Sequence, residues 1–117
     1  MHTATLAQIR SFRLRSHHLD TCYAPSGLVR LAGACGFPNS PPGAWESAAF
    51  FRAPGCTLPQ LEQLLYQEKA LLQAWSIRGI PLVFPTADAD VFLSALRARE
   101  GEPWIYTRGI QLALDFL

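Results

Sequence analysis

The sequence predicts a mainly helical α+β fold with one small β-hairpin. Apolar residues recur at intervals of three and four along most of the first 70 residues, which is the spacing of one helix face. Between residues 71 and 85 the pattern changes to two short apolar runs separated by a turn that contains glycine. Half of the 117 residues are apolar, which is enough for a single core.

The first helix is predicted from about residue 6 to residue 16. Thr5 and Gln8 have the spacing of a capping box at its start. Three apolar side chains follow at helical spacing: Leu6, Ile9 and Phe12. The other face carries basic or titratable side chains: Arg10, Arg13 and His17. We therefore expect this helix to have an apolar side and a basic side.

Three further helices are expected before residue 70. The second turns one apolar stripe inward, formed by Leu28, Leu31, Ala32 and Cys35. Gly36 is predicted to end it as a C-cap. The third helix begins near Ala44, after the stiff segment CGFPNSPPGAW (residues 35–45). The fourth begins at a second capping box, formed by Thr57 and Gln60, with Pro59 in its first turn.

The hairpin is predicted to comprise residues 72–77 and 80–85, with a two-residue turn at Arg78 and Gly79. Pro81 lacks an N–H group, so we expect its strand to lie at a sheet edge. Thr86 is predicted to cap a last helix, whose buried side comprises Val91, Phe92, Leu93 and Leu96. Helices followed by a hairpin are the order of a winged helix, a helix-turn-helix with a small β-hairpin wing.

This winged-helix module is predicted to span residues 1–98. Residues 99–117 would begin a following element or a linker. Their end is apolar and has no stop signal, so the chain is expected to be truncated.

Charge and cysteine content limit the classes of function. The net charge is +1, but nine of the ten Lys and Arg residues are Arg. Four of them precede residue 31, where the sole acidic residue is Asp20. Arg binds phosphate in a planar fork, so this region is compatible with a nucleic-acid backbone. The three cysteines show no C-x-x-C spacing, which predicts neither a disulfide framework nor a zinc site.

Metal, cofactor and membrane partners are not expected. The adjacent His17 and His18 would point about 100° apart on a helix. No further ligand lies at suitable spacing. No apolar run approaches about 18 residues, and the start of the sequence lacks an export signal. A reducing, cytoplasmic location is predicted.

Residues 66–96, YQEKALLQAWSIRGIPLVFPTADADVFLSAL, carry a resemblance to a known family. They resemble a stretch of the large bacterial winged-helix DNA-binding family that includes DNA glycosylases for bulky alkyl adducts and crosslinks. Upstream, CGFPNSPPGAWESAAFFRA is similar to the family's GxQxQxPP region. Members of that family are usually longer and build a DNA-binding cleft from tandem winged helices. The resemblance implies a first winged-helix module, without the downstream modules that complete the cleft.

The resemblance also implies a site on the proline-rich segment, where the glycosylases carry a Gln-x-Gln pair. Pro38 and Ser40 occupy the best-aligned glutamine positions, and Asn39 is the one amide left in the loop. Asn39 and Ser40 are therefore the candidate catalytic residues, which would act on the sugar of an extruded nucleotide. The alternative is a helix connection stiffened by Pro41 and Pro42.

The function predicted from these features is duplex DNA binding, mainly through phosphates. The candidate contacts are Arg10, Arg13, His17 and Arg78. The alternative for the first three is a solvated helix face, and Arg78 could instead pair with Glu68. Two other functions stay open: a glycosylase fragment with a degenerate site, and a structural module that forms a homo-oligomer. Cys35 is expected to be buried, and Trp75 to lie in the core or against another module.

Overall fold

The computed structural model describes residues 3–33, 35–76 and 78–94. Helix α1, Leu6–Ser16, has the predicted bounds. Its capping box is formed, because the Thr5 N–H donates to Gln8 Oε1 at 2.8 Å and the Gln8 N–H donates to Thr5 Oγ1 at 3.2 Å. No residue of α1 is buried, so its apolar side contributes nothing to the core of the described residues.

Helix α2, Leu28–Ala32, follows a 3-10 turn at Pro25–Gly27. It is shorter than predicted, so Cys35 lies beyond its end and is exposed. The assignment of Cys35 to the buried stripe is thus wrong. The C-cap of α2 is Gly33, so the prediction that Gly36 caps this helix is wrong. Gly36 has a φ of +76° and donates its N–H to the Ala32 carbonyl at 3.0 Å, just after the helix. Three predicted stripe residues are buried: Leu28, Leu31 and Ala32.

Helices α3, Ala44–Arg52, and α4, Leu58–Glu62, form where they were predicted. Helix α4 continues into a wider π-helical turn, Gln63–Gln67. The Thr57 N–H donates to Gln60 Oε1 at 2.9 Å, as the second capping box requires. These segments turn four side chains into the core: Trp45, Ala49, Leu61 and Leu65.

Three antiparallel strands form one sheet in the order β1-β3-β2. They are β1, Phe37–Pro38, β2, Leu71–Trp75, and β3, Pro81–Pro85. Val83 of β3 lies between Phe37 on one side and Gln73 on the other. Strand β1 was not predicted, because its two residues pair with a distant part of the chain and have no periodicity of their own.

Strand β3 is central in this sheet, so the expectation that Pro81 confines it to an edge is wrong. Pro81 and Pro85 are its first and last residues, where a missing N–H group disrupts the ladder least. The Pro81 carbonyl accepts a hydrogen bond from the Asn39 N–H at 2.9 Å. The strand is covered well enough that four consecutive residues are buried: Leu82, Val83, Phe84 and Pro85.

The turn between β2 and β3 is longer than the predicted two residues. The Ser76 N–H and hydroxyl both donate to the Ile80 carbonyl, at 3.0 and 2.8 Å. This pairing closes a connection of residues 77–79, in which residue 77 lies outside the described part of the chain. Gly79 has a φ of +75°, a conformation that side chains other than glycine rarely adopt.

Helix α5, Ala89–Ser94, follows a 3-10 turn at Thr86–Asp88. The Thr86 hydroxyl does not cap this helix, because it donates to the carbonyl of Lys69, two residues before β2. The prediction of a Thr86 cap is therefore wrong, although a helix does follow.

Fewer side chains of α5 pack against the sheet than the sequence predicts. Phe92 stacks on Phe84 of β3, with ring centroids 4.4 Å apart. Val91 and Leu93 are exposed, since a helix this short turns few side chains toward the sheet. Leu96 and residues 99–117 lie outside the described residues. Within the described residues the fold is α+β and mainly helical, with five α-helices and a three-stranded antiparallel sheet.

Candidate nucleic-acid interface

The basic face of α1 is open to solvent. Arg10 and Arg13 are exposed, and neither forms a salt bridge with another described residue. Arg15 differs, because its Nε lies 4.0 Å from Asp20 Oδ2. Helix α1 contains no acidic residue. Two guanidinium groups three residues apart can therefore reach one polyanion from the same side of the helix.

His17 lies directly after α1, where the helix meets the rest of the molecule. Arg52, the last residue of α3, donates its Nε–H to the His17 carbonyl at 2.9 Å. The same guanidinium donates to the Ala48 carbonyl at 3.0 Å and lies 4.9 Å from the centre of the Phe37 ring. The His17 Nδ1 atom is 3.4 Å from the Cys35 thiol. We call these four residues, His17, Cys35, Phe37 and Arg52, the α1 joint.

The electrostatics of the α1 joint centre on Arg52, which is half-buried. Desolvation lowers the pKa of Arg52 from its ordinary value, and the Coulomb interaction with Cys35 raises it in part. A guanidinium stays charged under such conditions, so the joint holds a permanent positive charge next to a thiol.

A second polar contact supports the same region. The Tyr23 hydroxyl donates to Asp20 Oδ1 at 2.7 Å, and the Tyr23 N–H donates to the Arg52 carbonyl at 2.7 Å. The hydrogen bond from Tyr23 lowers the pKa of the Asp20 carboxyl, and the same bond raises the pKa of the Tyr23 phenol. The Tyr23 backbone thus attaches the segment after α1 to the end of α3, and the Tyr23 side chain forms a bond within that segment.

Both the nitrogen and the oxygen of the Asn39 side-chain amide form hydrogen bonds. Its Nδ2 donates to Gln73 Oε1 of β2 at 2.7 Å, and its Oδ1 accepts the Gly43 N–H at 2.8 Å. The side chain therefore joins the loop to the sheet and to the start of α3. One amide hydrogen remains for a ligand.

Ser40 is exposed, and its hydroxyl has no hydrogen-bond partner among the described residues. Pro38 belongs to β1, and the Ser40–Pro41 peptide bond is cis. The polar groups available at the positions that resemble Gln-x-Gln are thus the Ser40 hydroxyl and one Asn39 N–H.

Arg78 is exposed in the turn between β2 and β3. Its backbone N–H donates to Ser76 Oγ at 3.3 Å. The alternative pairing with Glu68 does not form among the described residues, where Gln63 donates to that carboxylate instead. Trp75, at the end of β2, is 61% exposed and therefore lies outside the core.

The structure brings His17 to the start of the proline-rich loop, but it places Arg10 and Arg13 on a helix and Arg78 on a hairpin turn. Sequence reasoning missed Arg52 and Gln73, which fix α1 and Asn39 in place. The one available signal was Arg52 itself, near the end of the upstream stretch that resembles the glycosylase family.

A comparison with protein families identifies the class to which this fold and loop belong. The family model described as DNA glycosylase AlkZ-like matches residues 29–115, or 87 of the 117 residues. The chain belongs to the AlkZ-like DNA glycosylase family. No curated protein and no solved structure matches it. Membership indicates a function related to DNA repair, with DNA as the partner.

Residues 3–33, 35–76 and 78–94 show neither a membrane-spanning helix nor a metal-binding cluster. No helix there is long and apolar enough to cross a membrane. The same residues contain no group of three or more His, Cys, Asp or Glu side chains that could hold a metal ion.

Proposed function

We propose that residues 1–98 form a winged-helix module that binds duplex DNA mainly through its phosphates. The observation that carries this proposal is the open basic face of α1, where Arg10 and Arg13 have no acidic partner among the described residues. His17 at the end of α1 and Arg78 on the hairpin turn would add contacts. DNA as the partner follows from the family, and the residues that bind it are our proposal.

The order of elements supports a winged helix. Helices α3 and α4 are separated by residues 53–57, as in a helix-turn-helix, and the β2–β3 hairpin follows in the position of a wing. Strand β1 precedes the two helices and pairs with β3, so one sheet anchors both the wing and the loop before α3.

The distribution of charge favours α1 over α4 as the source of phosphate contacts. Helix α4 and its π-helical turn, Leu58–Gln67, contain Glu62 and no Lys or Arg. In α1 there are three Arg residues and no acid. Because phosphate contacts position a protein on DNA without reading sequence, we expect this module to bind duplexes with little sequence preference.

The proposal is tested by fluorescence anisotropy of a labelled duplex, titrated with the 117-residue chain at about 50 and 200 mM salt. Each phosphate contact steepens the salt dependence of log Kobs by about 0.9. The triple variant Arg10→Ala, Arg13→Ala, Arg78→Ala should bind weakly, with a slope shallower by about 2 to 3. The matched control is Arg15→Ala, because Arg15 lies on the same helix but faces Asp20. It should leave the slope nearly unchanged, since a change of about 0.9 would mean that Arg15 also contacts a phosphate.

Two outcomes would contradict the proposal. Absence of binding at about 50 mM salt would exclude duplex binding by this chain. Equal slopes for the parent and the triple variant would place the interface elsewhere. Sedimentation velocity without DNA distinguishes the remaining alternative, since a structural module would form a dimer whether or not DNA is present.

Glycosylase activity is the second candidate, favoured by the family match over the loop that resembles Gln-x-Gln. Asn39 and Ser40 would be the residues that face the sugar. Asn39 already uses its carbonyl and one amide hydrogen inside the protein, which leaves little to stabilise charge on a sugar. Release of a 7-alkylguanine base from a labelled duplex would establish the activity, and Ser40→Ala should then abolish most of it. If no base is released from such a duplex, DNA binding remains as the proposed function.

A further inference from the structure

The α1 joint places an exposed thiol 3.4 Å from a histidine nitrogen, in the electrostatic field of an arginine. Cys35 Sγ lies 3.4 Å from His17 Nδ1 and 3.7 Å from the Gly36 carbonyl oxygen. Arg52, on a third element, interacts electrostatically with Cys35 and is fixed by its bonds to the His17 and Ala48 carbonyls. An imidazole and a backbone carbonyl thus contact one exposed sulfur atom, and Arg52 holds the residue that carries the imidazole.

We infer that Cys35 is a modification site that reacts with soft carbon electrophiles, the chemical class of alkylating agents. The thiolate is the nucleophilic form of cysteine, and it is favoured beside a base or a cation. In the tautomer that carries its proton on Nε2, the His17 imidazole can accept the thiol proton at Nδ1. The Arg52 guanidinium stabilises the negative charge that develops on sulfur. This inference does not depend on DNA binding.

The covalent step is a displacement at carbon. An electron pair of the Cys35 sulfur forms the S–C bond while the bond from that carbon to its leaving group breaks, and the leaving group departs with the bonding pair. The thiol proton passes to His17 Nδ1 and then to water, so the imidazole returns to its neutral state. The step needs no oxidant or reductant.

The other two cysteines of the chain serve as internal controls for the reactivity of Cys35. Cys22 is also exposed, but the thiol contacts found among the described residues belong to Cys35 and not to Cys22. Cys56 is buried, and desolvation raises the pKa of its thiol. Cys22 therefore reports the reactivity of an ordinary exposed cysteine, and Cys56 reports whether the fold is intact.

The test is the rate of alkylation by iodoacetamide at pH 7, followed for each cysteine of the full chain by peptide mass spectrometry. In the native protein, Cys35 should react at least about tenfold faster than Cys22. In urea the two rates should become similar, since the joint no longer exists. In His17→Gln the native ratio should fall to about twofold or less, while Cys56 stays unreactive.

Equal native rates for Cys35 and Cys22 would overturn the inference without any variant. An unchanged ratio in His17→Gln, with Cys56 still protected, would also overturn it, because the imidazole would then have no role. If Cys56 becomes reactive in that variant, the fold has opened. The ratio of the Cys35 and Cys22 rates is then measured in His17→Asn instead. Equal rates for the two cysteines in the native parent would still overturn the inference.

Discussion

Helices α1 and α4 begin with the same capping arrangement but lie in different environments. Helix α4 packs against the core, whereas α1 is exposed within the described residues. Each starts at a threonine whose N–H donates to a glutamine three residues later, and each carries apolar side chains at helical spacing. Helix α4 buries Leu61, whereas α1 buries nothing within the described residues. A local pattern therefore specifies that a helix forms, but the partners available in space determine whether its apolar side is covered.

The largest expected effect on stability distinguishes the apolar face of α4 from that of α1. Leu61→Ala should lower the free energy of unfolding by about 2 to 5 kcal/mol, because the side chain is fully buried and leaves a cavity. Phe12→Ala should change it by less than about 0.5 kcal/mol, since that ring is 72% exposed. Urea denaturation of both variants measures the difference. A cost for Phe12→Ala near that of Leu61→Ala would mean that α1 has a buried partner after all.

The next effect concerns the loop that contains Asn39 and Ser40, where two neighbouring polar side chains differ in their hydrogen bonds. Asn39→Ala should lower the free energy of unfolding by about 1 to 2 kcal/mol, because it removes the bonds to Gln73 and Gly43. Ser40→Ala, one residue further, should cost less than about 0.5 kcal/mol. Equal costs, measured by denaturation under the same conditions, would contradict the bracing role of Asn39.

A smaller effect compares the two capping boxes. Thr57→Ala should reduce global stability by about 1 kcal/mol, since α4 contributes to the core. Thr5→Ala should leave global unfolding almost unchanged and instead accelerate hydrogen exchange in the first turn of α1, because that helix can fray without opening the core. The comparison fails if Thr5→Ala shifts the global transition as much as Thr57→Ala does.

The smallest effect lies at the Tyr23–Asp20 contact. The Asp20 carboxyl has a pKa lowered from 3.8, first because of the hydrogen bond from Tyr23. Its contribution to stability is therefore present above pH 3.8 and is lost as the pH falls through the lowered value. Tyr23→Phe should return the pKa of Asp20 toward 3.8, which a carbon-13 NMR titration of the carboxyl measures. An identical titration in Tyr23→Phe would show that this bond does not form in solution.

Helix positions followed closely from the sequence because capping boxes and apolar spacing are local features. The bounds of α1 and the start of α4 agree with the structure. Strand β1 and the central position of β3 did not follow, since they depend on pairing between distant segments. Pro81 was misleading for the same reason: its effect depends on whether it lies within a strand or at its end.

For the candidate site, the residue types were predictable and their partners were not. The basic spacing of Arg10 and Arg13 was visible in the sequence, as was the lone amide of Asn39. Nothing local indicated that Asn39 would bond to Gln73 or that His17 would approach Cys35, because each pair is brought together by the packing of separate elements.

The bond from Arg52 to the His17 carbonyl holds α1 at its C-terminal end, so a rotation there moves the N-terminal end the most. A helix of 11 residues is about 16 Å long, so a rotation of about 10° at His17 moves its far end by about 3 Å. That displacement is close to the rise of about 3.4 Å between successive nucleotides of one DNA strand. In the DNA complex that we propose, a change of angle at the α1 joint would thereby shift the α1 arginines by about one nucleotide of rise.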